Sequence, residues 1–171
     1  DHVKTIDAAQ RALAIDASNI DAMTAMGSVL RQERRWAESE AFFKRALAID
    51  PGSAELLEDY AEFLNVVGRS REALEVAERG MEIDPRIQPL VAAYAEALLS
   101  VGRPDEARKV VVDSLAAEGD QAGLWWASLP LWLVTDPEPK LTQPKPTRYV
   151  AGFDYVRGIL ASPGEQALTE L

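Results

Sequence analysis

Cysteine is absent from the 171 residues, and histidine occurs once, at His2. The first absence excludes disulfides, thiolate metal sites and cysteine nucleophiles. The second leaves a Ser–His or Cys–His arrangement nothing to be built from, and no GxxxxGK[ST] loop is present to cradle a phosphate. An enzyme is therefore not expected, and neither is a metal site or a cofactor. No run of about 18 apolar residues exists, so direct insertion into a membrane is not expected either. Positive charge is in deficit: 18 Lys and Arg stand against 28 Asp and Glu, for a net charge of −10. Nucleic acid and anionic membrane surfaces both require a basic patch, which excludes them as expected partners.

What is present is ordinary soluble composition, 47% hydrophobic and 27% charged, arranged with a period of 34 residues. Residues 20–53 form one complete unit, and residues 54–87 and 88–121 align under it without gaps. Apolar spacing within each unit predicts an antiparallel pair of helices, A over about the first 14 positions and B over about positions 17 to 31. Positions 8, 20 and 27 are small in every unit: Gly27, Ser39 and Ala46; Ala61, Ala73 and Gly80; Ala95, Ala107 and Ser114. Large residues flank them at positions 4, 7 and 11, such as Met23, Met26 and Leu30. Small side chains at a fixed register allow two helix backbones to approach closely.

This pattern, with Phe43 and Pro51 at positions 24 and 32 of the first unit, resembles the tetratricopeptide repeat. The resemblance covers about two thirds of the chain and implies an all-α fold, a right-handed superhelical solenoid of antiparallel helix pairs. Residues 1–19 align with the second half of a unit, RALAID recurring at residues 45–50, and read as the second helix of an incomplete N-terminal repeat. Its apolar stripe is Val3, Ile6, Ala9, Ala12 and Leu13. Opening inside a repeat, the sequence reads as a fragment of a longer array or multidomain protein, a soluble segment whose compartment, cytoplasmic or periplasmic, stays open.

Gly68 and Gly102 sit between helices A and B where a left-handed residue is needed; the first unit has Arg34 there and departs from the habit. Ser70 is expected to cap helix B of the second unit, and Pro104 to open that of the third. Residues 122–171 read as a degenerate C-terminal helical pair. Its first helix, 124–134, carries Trp125, Trp126 and Trp132, and serves either to cover the open end of the array or as a docking and homo-oligomerisation surface. A Pro-rich connector follows at 136–146, then a returning helix with Tyr149, Phe153, Val156 and Leu160 on one face. Ser162, Pro163 and Glu165 mark the start of a further helix.

The resemblance also implies a concave face lined by helix A positions 2, 5, 6, 9, 12 and 13, which usually hold a peptide or helix of a partner protein. Candidate partner-binding residues on that face are Thr24, Ser28, Arg31, Glu55, Glu58, Asp59, Glu62, Asn65, Glu96 and Leu99. Thr24, Ser28, Asp59, Pro89 and Ala93 replace the Lys, Arg and Asn set with which chaperone-binding members hold a terminal carboxylate, so such a tail is not an expected ligand. Half of the net charge lies in residues 54–87, nine acids against four bases, with Glu55, Glu58, Asp59 and Glu62 forming one acidic stripe. That stripe is either a solvated face or a groove for a basic partner segment, with Arg31 as a polar edge. A protein-interaction scaffold is the function expected; the alternative is a structural, oligomerisation or regulatory module of a larger protein.

Overall fold

A computed structural model describes residues 2–117. Seven helices follow one another: α1 (His2–Ile15), α2 (Ile20–Gln32), α3 (Trp36–Ile49), α4 (Ala54–Val66), α5 (Ser70–Ile83), α6 (Gln88–Ser100) and α7 (Pro104–Ala117). No strand occurs among the described residues. The A helices α2, α4 and α6 each open on the first position of their unit and run 13 residues, and the B helices α3, α5 and α7 run 14. The fold is an all-α helical repeat solenoid. The C-terminal expectations, including the tryptophan helix, the Pro-rich connector and the final helix start, lie outside the described residues.

Local chemistry sets the boundaries. Asn19 Oδ1 accepts from the Ala22 amide at 2.8 Å and Ser53 Oγ from the Leu56 amide at 3.2 Å, capping α2 and α4. Between A and B the chain passes through one left-handed residue, with φ of 59° at Arg34, 78° at Gly68 and 80° at Gly102. The next amide reaches back to close the helix end, Arg35 to the Leu30 carbonyl at 2.9 Å, Arg69 to Leu64 at 2.8 Å and Arg103 to Leu98 at 2.9 Å. Arg34 therefore adopts the same turn as the glycines, at the steric cost they avoid.

Ser70 does not cap α5. Arg69 occupies the cap position without a side-chain cap bond, and Ser70 is the first helical residue. The ends of the B helices are held instead by a clip repeated in each unit. Arg35 grips Glu38 at 2.8 and 2.6 Å, Arg69 grips Glu72 at 2.7 and 2.5 Å, and Arg103 grips Glu106 at 2.6 Å through each of two nitrogens. After helix B, Asp16, Asp50 and Asp84 each accept from the backbone amide two residues on, at 2.9, 3.1 and 3.0 Å, turning the chain into the next unit.

The small residues act as the sequence predicts. A Cβ on Gly27 would stand 2.8 Å from the Phe43 ring, and one on Gly80 would stand 2.9 Å from Leu90 Cδ2. Ser39, wholly buried, donates to the Gly27 carbonyl at 2.8 Å, so its hydroxyl is satisfied inside an apolar seam. Phe43, Tyr60 and Phe63 meet at ring separations of 5.8 to 6.2 Å and tie the first unit to the second. Burying a side chain of this size contributes about 2–3 kcal/mol. On α1, Ala9 is buried while Ile6, Ala12 and Leu13 pack partly against α2. Val3, expected in that stripe, is 76% exposed and lies outside the cluster that joins α1 to α2.

Candidate protein-binding groove

Successive A helices touch one another, α2 with α4 and α4 with α6, whereas successive B helices make at most marginal contact. An array whose A layer is drawn together and whose B layer is spread curves toward the A side. The open face of α2, α4 and α6 is thus the inner one, and it carries the candidate residues.

Polar side chains stitch this face. Arg31 Nη1 lies 2.7 Å from Glu62 Oε1, crossing from α2 to α4. One turn earlier, Ser28 Oγ makes a longer contact of 3.4 Å to Asp59 Oδ1. Between α4 and α6, Asn65 Nδ2 donates to the Ala93 carbonyl at 2.8 Å, leaving Asn65 Oδ1 buried without a hydrogen-bond partner. Thr24 turns back on its own helix, its hydroxyl donating to the Ile20 carbonyl at 3.0 Å. Glu55 stands exposed at the start of α4, where Ser53 Oγ reaches it at 3.3 Å. Leu99 is half-buried against the α6–α7 core, so less of it faces the groove than an unpacked apolar contact would offer.

The acids are tuned by their setting. Burial raises the Glu58 carboxyl to about 7, with the charges of Asp59 and Glu62 adding and Arg31 opposing. Asp59 is raised by burial and by Glu62, against the pull of Arg31 and Ser28. Glu96, on α6, is raised by partial desolvation and by Glu62 across the helix pair. The stripe expected as uniformly acidic is therefore neutralised at one point by Arg31, and Arg31 is engaged rather than standing as a free polar edge. Among the described residues no three acidic or histidine side chains converge to hold a metal ion. The carboxylates of Glu58, Asp59 and Glu62 lie on α4 and that of Glu96 on α6.

Residues 30–92 match the family model of the tetratricopeptide repeat. Residues 30–92 thus carry the tetratricopeptide pattern. Among solved structures, pilF of Pseudomonas aeruginosa is similar, with a TM-score of 0.65 at 21% identity over 94% of this chain and 69% of that one. That likeness is one of fold. Among curated proteins none matches the sequence. In tetratricopeptide terms, the stitches join position 9 of one helix A to position 6 of the next, through Ser28 and Asp59, and position 12 to position 9, through Arg31 and Glu62. Ser28, Arg31, Asp59 and Glu62 are thus brought together, whereas Thr24 and Glu55 bond locally and Leu99 belongs more to the core. Trp125, Trp126 and Trp132 lie outside the described residues. One feature the sequence could have signalled is the Arg–Glu clip, since Arg at position 16 and Glu at position 19 recur in all three units. No helix among the described residues is long and apolar enough to cross a membrane.

Proposed function

We propose that the inner face of α2, α4 and α6 binds a basic or amphipathic segment of a partner protein, the chain serving as a protein-interaction scaffold. Tetratricopeptide arrays serve as such scaffolds in general, and the charge of this one favours a cationic occupant. The observation that carries the reading is Glu58: a carboxyl raised to about 7 by burial and by Asp59 and Glu62 has most to gain from an added cation. Glu96 and Asp59 extend the same field along the groove. Apolar contact at the rim is supplied by Val66, half of whose surface is exposed. Such complementarity acts mainly on encounter rate and selectivity.

The test is fluorescence anisotropy with labelled oligolysine, oligoglutamate and a neutral peptide of equal length. Saturable binding of oligolysine alone, lost in Glu58→Lys and at about 0.5 M salt where surface charge is screened, is expected. Oligolysine binding that ignores Glu58→Lys would remove the groove from consideration. The alternative, a structural or oligomerisation module resting on Trp125, Trp126 and Trp132, would be favoured by salt-independent self-association without peptide binding.

A further inference from the structure

One cation already occupies the groove, and it belongs to the chain. Arg31 reaches from α2 to Glu62 on α4 with its side chain 17% exposed against 41% for the acid, so the guanidinium is the inner member of the pair. Its charge acts on Glu58 and Asp59 as well, holding both below the values that burial and mutual repulsion would otherwise set. A guanidinium offers five donors in a planar fork that fits a carboxylate two at a time. Arg35, Arg69 and Arg103 use that fork on the outer edge, each holding its glutamate through two nitrogens. Arg31 does not. It meets Glu62 through Nη1 alone, and its Nε is buried with no hydrogen-bond partner. Three carboxylates surround it electrostatically, yet it makes one contact and strands a donor.

We propose that Arg31 is an internal occupant of the acidic groove, standing in for a lysine or arginine of the partner segment and competing with it for Glu58, Asp59 and Glu62. The inference rests on the groove reading above. A partner cation that enters must displace Arg31 from Glu62 or accept a weaker field, so Arg31 sets a threshold that only a segment with several basic groups overcomes. The groups facing this point are Arg31 on α2, Glu58, Asp59 and Glu62 on α4, and Glu96 on α6.

The experiment uses the full chain and labelled oligolysine at low ionic strength, comparing wild type with Arg31→Gln, Arg31→Lys and Glu58→Lys. Arg31→Gln should bind about two- to five-fold tighter, the scale of one partly exposed charge contact, while Arg31→Lys stays close to wild type and Glu58→Lys loses binding. Unchanged or weaker binding by a natively helical Arg31→Gln overturns the proposal, and leaves the groove reading standing if wild type binds and Glu58→Lys does not. Absence of binding by all four proteins removes both. A measurement on wild type guards against misfolding of the variant. The Arg31 side-chain N–H signals, followed by nuclear magnetic resonance during the oligolysine titration, should move toward those of a solvent-exposed arginine. Signals that stay fixed while oligolysine binds would likewise overturn displacement of Arg31.

Discussion

Replacing Glu58 by Gln preserves the shape of the side chain and removes its charge. In the wild type, burial first, then Asp59 and Glu62, raise this carboxyl from 4.5 to about 7. A carboxyl whose native pKa stands above its unfolded value weakens the fold wherever it is ionised. The penalty is complete above about pH 7, shrinks as pH falls through 7, and is gone below about pH 4.5, where both states are protonated. At about 1.4 kcal/mol per pH unit the ceiling is about 3 kcal/mol. Water on the open side of the groove reduces this, and about 1–2 kcal/mol is expected. Urea unfolding at about pH 8.5, 7 and 4.5 should show Glu58→Gln gaining on the wild type as pH rises, at equal slopes. Any cost of burying the Gln amide is the same at each pH and leaves the trend intact. A stability difference that does not vary with pH, or that favours the wild type more as pH rises, refutes the reasoning that Glu58 is ionised in a desolvated, anionic setting.

Arg34→Gly should stabilise the chain by about 1 kcal/mol by relieving its left-handed conformation, seen as a rise of several degrees in Tm; a fall would contradict that. Gly27→Ala drives a methyl into the ring of the wholly buried Phe43 and should cost about 1–3 kcal/mol. Gly80→Ala meets the terminal methyls of Leu90, which can turn aside, and should cost less, so equal losses in denaturant melts would count against this ranking. Glu40 is partly desolvated, yet hydrogen bonds from Lys44, Arg69 and Tyr60 hold its carboxyl down at about 2. Stability from Glu40 is full above about pH 4.5 and is lost as pH falls toward 2, so Glu40→Gln should cost about 1–2 kcal/mol at neutral pH and nothing near pH 2. A cost that persists undiminished near pH 2 would show the loss is not one of charge.

The repeat register was legible because it is set by volume. Gly27 opposite Phe43 and the buried Ser39, Ala61 and Ala107 are steric requirements, and sterics recur at fixed spacing in a sequence. The left-handed turn was equally legible at Gly68 and Gly102, and Arg34 shows that the turn is dictated by the closing of helix A rather than by glycine alone. The groove was legible only by halves. Spacing placed Glu58, Asp59 and Glu62 on one side of one helix, but Arg31 meets Glu62 across 31 residues, an offset fixed by how one unit staggers on the next. Nothing local encodes that stagger, so the acidic stripe looked unbroken. The raised Glu58 was hidden for a related reason: a polar residue at a polar position gives no sign of being shielded by the neighbouring helix. Ser70 misled because serine beside a helix start reads as a cap, while Arg69 held that position and paired with Glu72 instead.

The contact between Gly27 and Phe43 also bears on how such an array can be rebuilt. Positions 8 and 24 pair as Gly27 with Phe43 in the first unit, Ala61 with Ala77 in the second and Ala95 with Val111 in the third. In the first unit the close approach requires the glycine, since even a methyl would overlap the ring. A chimaera that joined α4 to α3 would set Ala61 against Phe43, and one that joined α2 to α5 would set Gly27 against Ala77 and leave a void. Exchange is therefore resisted at the short joint between the two helices of a pair, whereas a cut at the Asp turns keeps each small residue with its own partner and leaves only the contacts between units, such as Phe43 on Tyr60 and Phe63, to be matched.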